Sequence, residues 1–566
     1  MHLDQLLKSV SKEYQKIHVR GISFDSRKVK KRDIFFAIKG NQTSGIKFIN
    51  DAISKGASVI ISSKKVKYKN CQIPIILVKN VRRSLSEACS NFYKKKPANI
   101  IAVTGTNGKS SVVDFFYQIL NFNKVSVASI GTLGIFSKNY NKKTNLTSMD
   151  PLSLHKNLQI LAKNKASNVI LEASSHGLEQ KRLDNLNINT GIFTNLSHDH
   201  LDYHKNMQSY FNSKMHLFKN LLKKNSKIIT DEDNKEFKII KKIANKREIK
   251  KITIGSNSGN IKILNNKYKQ NKQIVKISIN SKIFNLEIPL IGYFQVKNLF
   301  MAILAASTCG LNQNRILNQI HKIKPVFGRL ECVASLNNNS NIVVDFAHTP
   351  DALEQSLIAL KKQFKKEIII VFGCGGERDK KKRFIMGKIA GKYCRKIFVT
   401  DDNPRNEDPK KIRNYKNVSN AVVAKADKEA QKVKDKEQKG TLEFPQMPTE
   451  ESTEQDEMIQ KVVEYIKTNG KRRKTAGGDG RRKENHKDVE EATAGELELA
   501  NAKKSDKKQQ GGSLKHKVWP ASASMKMPKE ALDTWHPDPE KDRKTTSMKH
   551  TARSVAYHDA QKKKPA

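Results

Sequence analysis

Residues 100–120 read IIAVTGTNGKSSVVDFFYQIL, an apolar β-prone run that passes two glycines into Lys109-Ser110 and then into Val112, Phe115, Phe116 and Ile119. The change from a continuous apolar run to helical spacing predicts a buried strand, a tight turn and a helix lying back on the sheet, which commits the region to an α/β fold. A turn of this composition suits an anion. Gly105 and Gly108 let backbone N–H groups approach phosphate oxygens, the helix start adds partial positive charge, Lys109 can neutralise the β- and γ-phosphates, and the Ser110 hydroxyl can ligate Mg2+. Val103 stands where the full G-x-x-x-x-G-K-[ST] spacing has its first glycine, so a plain tight turn is the competing reading.

Further β-rich runs at 169–171, 192–194, 342–345, 368–372 and 397–400 each lead into Gly, Ser, Asp or His and then a helical stretch. That alternation predicts largely parallel sheets with ligand groups at the carboxyl ends of the strands. The 566 residues allow three or four domains, or fewer with a disordered region. Near residue 410 the chain changes character. All six Cys and 22 of the 23 Phe precede residue 411, both Trp follow it, and the net charge is +42 before it and +10 after it. Mixed-charge, apolar-poor sequence cannot bury enough surface to offset its ordering entropy, so residues 414–566 are expected to be mostly disordered. Met458, Ile459, Val462, Val463 and Ile466 mark one marginal amphipathic helix over 454–468.

A formal charge of +52 raises the question of nucleic acid. The basic residues of the first 410 positions are scattered among Asn and Ile, a bias that AT-rich coding alone would generate, and are not gathered on one stripe. Nucleic-acid binding by the main body is therefore disfavoured. KRRK at 471–474 and RRK at 481–483 keep open a tail-mediated binder of nucleic acid or a protein partner. No apolar run approaches the roughly 20 residues of a membrane span and the N-terminus lacks a signal-peptide core, which predicts a cytoplasmic chain without membrane insertion. Six cysteines without a C-x-x-C pair read as reduced thiols.

Three more segments carry chemistry. The run 169–171 leads into Glu172-Ala173-Ser174-Ser175-His176-Gly177-Leu178-Glu179-Gln180-Lys181-Arg182, which puts a carboxylate at a strand end, as a second Mg2+ contact requires. The stretch Thr194-Asn195-Leu196-Ser197-His198-Asp199-His200-Leu201-Asp202-Tyr203-His204 holds five metal-competent side chains between His198 and His204. Asp402-Asn403-Pro404-Arg405 follows a strand, and its arginine can grip a carboxylate by two parallel hydrogen bonds; an Asx-Pro turn with a surface arginine is the alternative.

Together these segments resemble the Mur ligases, which join amino acids to the growing peptide of bacterial cell-wall precursors, and within them the branch that adds the third residue. The resemblance covers about residues 1–413 and implies a three-domain α/β architecture with a P-loop-type central parallel sheet. Residues 1–92 would bind the UDP-substrate, 93–324 would bind ATP, and 325–413 would form an incomplete ligase domain followed by the tail 414–566. The implied reaction adds meso-diaminopimelate to UDP-MurNAc-L-Ala-D-Glu through an acyl phosphate, using ATP and Mg2+. By the same resemblance Gly105, Thr106, Asn107, Gly108, Lys109, Ser110, Asn298, Arg329, Asp345 and His348 surround the nucleotide. Ser110, Glu172, His200 and a carbamylated Lys214 hold Mg2+, with Lys109, Glu172, His200 and Lys214 forming the catalytic set. Ser26, Thr147, Ser148, Ser174, Gln180 and Arg182 bind the nucleotide-sugar peptide, and Asp402, Asn403 and Arg405 the diaminopimelate.

Several positions depart from the family pattern: Ser44, Lys47, Ala173, His198, Gln295 and Glu377 replace commoner residues. The family's G-K-G-H-E segment is not found after Arg405. This reads as a third domain without its last elements, joined to the tail by fusion, frameshift or assembly error. It leaves a catalytically impaired nucleotide-binding remnant as a second reading. Neither the tail's purpose nor the oligomeric state follows from the sequence; a monomer is favoured.

Overall fold

The computed structural model describes residues 1–40, 43–65, 73–336, 340–377 and 379–413. The helix expected at 454–468, the basic runs at 471–474 and 481–483, the disorder expected of 414–566 and Cys71 all lie outside the described residues. The other five cysteines are free thiols.

The described residues divide into two compact units, one of residues 1–197, 204–267 and 272–326, the other of 198–203, 268–271 and 327–413. In the first unit, β1 (Gly21–Ser23), β2 (Asp33–Phe36), β3 (Val59–Ser62) and β4 (Ile75–Leu77) form a four-stranded sheet that is parallel throughout.

The next ten strands are β5 (Asn99–Thr104), β6 (Val127–Gly131), β7 (Gly134–Ser137), β8 (Asn168–Glu172), β9 (Ile188–Phe193), β10 (Leu222–Asp231), β11 (Lys250–Gly255), β12 (Ile261–Lys269), β13 (Lys272–Ile279) and β14 (Lys282–Ile288). They form one sheet in the order β14-β13-β12-β11-β10-β9-β5-β8-β6-β7. Its middle is parallel, and the pairs β6–β7 and β13–β14 at its edges are antiparallel.

A parallel strand covered by helices on both faces must be apolar at every position. Strand β5 shows this: Ile101 and Val103 enter a core with the helix Lys109–Phe122, while Ile100 and Ala102 enter a second core with the helix Pro151–Lys163. The helix Lys109–Phe122 buries Val112, Phe115, Phe116 and Ile119 at the expected spacing, along with Val113 and Leu120. Each such large side chain contributes roughly 1.5–3 kcal/mol.

In the second unit, β15 (Glu331–Ser335) and β16 (Asn341–Val344) pair antiparallel, against the parallel arrangement expected there. Strands β17 (Ile369–Cys374) and β18 (Lys396–Asp401) pair parallel, and a small core of Leu353, Leu357, Cys374, Met386, Ile389, Cys394 and Ile412 packs among them and the helices.

Candidate active site

Register decides what meets the glycine turn. Val103, near the end of β5, lies opposite Glu172 of β8 on one side and Ile192 of β9 on the other, so the residues that follow all three strands share one end of the sheet. Pairing continues past the strands through Ala173 N to Val103 O at 2.8 Å and Thr194 N to Thr104 O at 3.0 Å. The turn itself needs glycine. Gly108 has φ +86°, and a Cβ there would lie 2.6 Å from Asn298 Oδ1. Gly105 has φ +147° and a Cβ on it would overlap the Thr194 hydroxyl. Gly108 provides no capping side chain at the start of the helix Lys109–Phe122, and a helix start of this kind suits an anionic ligand.

The loop is tied down by the segment after β9. Thr106 N donates to Asn195 O at 2.9 Å, Asn107 N to Asn195 Oδ1 at 2.9 Å, and Thr194 Oγ1 to Asn107 O at 2.6 Å. Ser197 N and the Tyr210 hydroxyl both donate to Thr106 Oγ1, at 2.9 and 3.1 Å. Lys109 Nζ donates to the carbonyls of Gly105 and Thr106 at 2.9 and 2.7 Å. Lys214 is 1% exposed, donates to Gly105 O at 2.8 Å and lies 4.2 Å above the Tyr210 ring. Thr194, Asn195, Ser197 and Tyr210 escaped the sequence reading as loop anchors; the position of 194–197 at the end of the neighbouring strand was the available signal.

Glu172 is the hub on the other side of the turn. Its carboxylate, on a residue 2% exposed, accepts from Ser110 Oγ at 3.0 Å, Thr132 N at 2.8 Å and Thr132 Oγ1 at 3.3 Å. A serine hydroxyl and a carboxylate at the start of a helix are the hard oxygen donors a Mg2+ ion takes. Thr132, which the sequence did not single out, also contacts Thr147 Oγ1 at 3.1 Å. Ser148 Oγ donates to Glu172 O and accepts from Ser174 N, both at 2.8 Å, while Ser174 Oγ caps the helix Ser175–Glu179. Arg182 donates to Ser148 O at 2.6 Å and, through Nε and Nη2, to Gln180 Oε1 at 3.2 and 2.7 Å. Arg82 reaches the same Gln180 oxygen at 3.4 Å. Thr147, Ser148, Ser174, Gln180 and Arg182 thus form one hydrogen-bonded strip running from Glu172.

Asn298 is buried beside Gly108 and donates to Gln295 Oε1 at 3.1 Å. Its neighbour Lys297 forms ion pairs with Asp231 at 2.7 Å and Asp233 at 2.8 Å. Burial pushes the Asp231 carboxyl above its ordinary range while the Lys297 ammonium pulls it back. Ser26 belongs to the other sheet of this unit, in the turn Ser26–Lys28 capped by Asp25, where its carbonyl accepts from Lys55 Nζ at 3.3 Å.

His204 faces Glu179 and Ser175, His198 pairs with Asp379 at 3.7 Å and His200, at φ +54°, with Asp199 at 3.3 Å. Among the described residues no three His, Cys, Asp or Glu side chains are grouped to hold a metal ion.

In the second unit, Gly376 N donates to Asn403 O at 2.8 Å, Asn403 Oδ1 accepts from Arg405 N at 3.2 Å, and the Arg405 guanidinium donates to Gly376 O. The D-N-P-R segment, with Asp402 beside Gly373 and Gly375, is thereby bound to the glycine turn after β17. Arg329 lies over the Phe346 ring, His348 Nδ1 contacts Phe346 O at 2.9 Å, and Asp345 accepts from Ser356. Burial raises the Asp345 carboxyl above its ordinary range against the opposing pull of the Ser356 hydroxyl and Arg329.

Three family profiles match the chain in order: the Mur ligase family catalytic domain at 18–93, the Mur ligase middle domain at 103–306, and the Mur ligase glutamate ligase domain at 328–441, which runs past the last described residue. The UDP-N-acetylmuramoyl-L-alanyl-D-glutamate–2,6-diaminopimelate ligase of Rickettsia montanensis is 43% identical over 407 residues, 71% of this chain and 83% of that protein. The same-named ligase of Rhizobium meliloti (strain 1021) is 37% identical over 397 residues, 70% and 82% of the two chains. A solved structure of a ligase of that name superposes with a TM-score of 0.59 at 31% identity, covering 73% of this chain and 84% of that one. With the phosphate turn, its Glu172 hub and the strand order that joins them already explained by register, these matches place the chain in the Mur ligase family.

Proposed function

We propose that this chain is an ATP-dependent ligase that adds meso-diaminopimelate to UDP-MurNAc-L-Ala-D-Glu in peptidoglycan precursor synthesis, working in the cytoplasm. The observation that carries the reading is the Ser110–Glu172 hydrogen bond at the start of the helix that Lys109 opens, in a chain of this family. The γ-carboxylate of D-Glu attacks the γ-phosphorus of ATP and ADP leaves, giving an acyl phosphate. The diaminopimelate amine then attacks the acyl carbon, phosphate departs, and an amide remains.

Little covalent chemistry falls to the protein in such a transfer; it positions groups and neutralises charge. Lys109 and the N–H groups at the helix start neutralise negative charge on the γ-phosphoryl oxygens. Ser110, Glu172, His200 and, as a carbamate, Lys214 are the residues that would hold Mg2+, which when bound neutralises phosphate charge; carbamylation would also replace a buried ammonium by an anionic oxygen donor. Thr147, Ser148, Ser174, Gln180 and Arg182 orient the nucleotide-sugar peptide, with Ser26 at the uridine. Asn298, Arg329, Asp345 and His348 serve the nucleotide. Arg405, with Asp402 and Asn403, binds the distal carboxylate of diaminopimelate, a group that lysine lacks. Among the described residues no helix is long and apolar enough to cross a membrane.

The test is ADP release by the purified chain with both substrates present. Stimulation by meso-diaminopimelate and little by lysine is expected. No stimulation by either rejects the ligase reading, and retained affinity for the nucleotide-sugar peptide without turnover would mark a nucleotide-binding remnant.

A further inference from the structure

The last histidine of the run after β9 is tied to the phosphate turn by a connected set of buried contacts. His204 is 3% exposed. Its Nδ1 lies 2.9 Å from Glu179 Oε2 and its Nε2 3.0 Å from Ser175 Oγ. A carboxylate can only accept, so Nδ1 carries a hydrogen; in the neutral ring Nε2 then accepts from the Ser175 hydroxyl. Ser213 Oγ donates to Glu179 Oε2 at 3.2 Å, which holds the carboxylate in turn. The ring is fixed at both ends, yet Ser175 Oγ is buried and no substrate can reach it, so the Ser–His–Glu order has no use as a hydrolytic centre.

The ring of His204 also meets two other rings, His176 with centroids 5.3 Å apart and Tyr210. It packs on Tyr210 with centroids 5.2 Å apart, and Tyr210 is 1% exposed. Tyr210 then reaches the phosphate turn twice: its hydroxyl donates to Thr106 Oγ1 at 3.1 Å, and its ring face lies 4.2 Å from Lys214 Nζ, the nitrogen that donates to Gly105 O. Thr106, which Ser197 also holds, and Lys214 thus both meet the turn in contact with that ring.

We infer that His204 is a positioning residue for the phosphate turn, holding Tyr210 and through it Thr106 and Lys214 in the geometry that binds the triphosphate. Glu179 and Ser175 set its tautomer and ring angle; Tyr210 transmits them. The inference deepens the ligase reading, since it assumes that the turn takes ATP. It requires that loss of His204 and loss of the Tyr210 hydroxyl act on one contact and therefore fail to add.

ATP affinity of the full chain is the readout, measured by direct titration for wild type, Tyr210→Phe, His204→Ala and the double variant, with affinity for UDP-MurNAc-L-Ala-D-Glu and the thermal midpoint alongside. Misplacing the turn by a fraction of an ångström should weaken ATP about tenfold in His204→Ala and about fivefold in Tyr210→Phe, with UDP-substrate affinity within twofold of wild type. The double variant should be no weaker than His204→Ala alone. His204→Phe, which keeps a ring on Tyr210, should recover part of the ATP affinity even if its midpoint is lower. Multiplicative losses in the double variant, or equal losses for both ligands, overturn the inference. Wild type that binds ATP without diaminopimelate-dependent ADP release would sink the ligase reading while leaving these affinity ratios to decide the role of His204.

Discussion

Two glycine turns follow parallel strands in this molecule, and they are held by opposite means. The turn at 105–108 follows β5, buried from Ile100 to Thr104, and is fixed by side chains from elsewhere in the chain: Thr194 and Asn195 just after β9, and Tyr210 and Lys214 on the helix Met207–His216. The turn at 375–376 follows β17, most of which is half-buried, and is fixed mainly by its partner segment: Gly376 N donates to Asn403 O and the exposed Arg405 donates to Gly376 O, while Arg383 reaches Gly375 O at 3.4 Å. A phosphoryl group is transferred only from a fixed geometry, which suits the first arrangement. An arginine bonded to a main-chain oxygen at the surface can exchange that partner for a carboxylate at small cost, which suits the second.

The sharpest way to break this comparison is at Lys109. Lys109→Ala should lower diaminopimelate-dependent turnover by about 10³-fold, the scale of losing a preorganised charge at the transferred group, with the thermal midpoint little changed because the half-buried side chain belongs to no hydrophobic core. A loss below tenfold in a steady-state assay would mean that the first turn does not handle the phosphates.

Glu172→Gln comes next. It keeps the shape and the acceptor for Ser110 but removes the charge, so turnover should fall about 10²-fold with a raised Mg2+ requirement, read as a rightward shift of activity against Mg2+ concentration. Unchanged Mg2+ dependence would leave Glu172 as a purely structural acceptor for Thr132 and Ser110.

At the second turn the effect should be smaller and confined to one substrate. Arg405→Lys retains charge but not the planar fork, and should raise the KM for diaminopimelate about tenfold while the KM for ATP stays within twofold. If both constants rise together, the two turns are not divided by substrate as the comparison holds.

How much of this could be read beforehand follows from what each residue's role depends on. The strand–turn–helix of 100–120 was legible because its apolar spacing is local, and Glu172 because a carboxylate ending a buried run has few other uses. Lys214 was one of 107 basic residues, and nothing local distinguishes it; its burial under Tyr210 arises from tertiary packing. The Asp231–Lys297 pair joins residues 66 apart for the same reason. The partners of the His198–His204 run were not legible, since its five metal-competent side chains stand in a segment whose backbone turns at His200, φ +54°, into the short helix Leu201–His204. The antiparallel β15–β16 pair was unreadable because a four-residue apolar run carries no sign of its partner's direction.

The mildest test uses pH, and the two units should respond with opposite sign. His155, on the helix Pro151–Lys163, is fully buried with neither ring nitrogen hydrogen-bonded, and burial, aided by the Lys96 ammonium, drives its pKa down to about 3. The unfolded chain therefore binds a proton that the folded one refuses between about pH 3 and 6.5, so stability contributed at neutral pH is lost as pH falls through 6.5. Asp345 is shifted the other way: its raised pKa means the folded form takes up a proton first, so acid relieves a cost in the second unit just above the ordinary carboxylate range. Between pH 6 and 5 the first unit should lose roughly 1 kcal/mol more in wild type than in His155→Leu, measured by hydrogen exchange resolved along the chain. The second unit should show no such loss, and Asp345→Asn should remove its gain at lower pH. Equal acid sensitivity of both units, unaltered by His155→Leu, would show that the buried histidine is not what separates their pH responses.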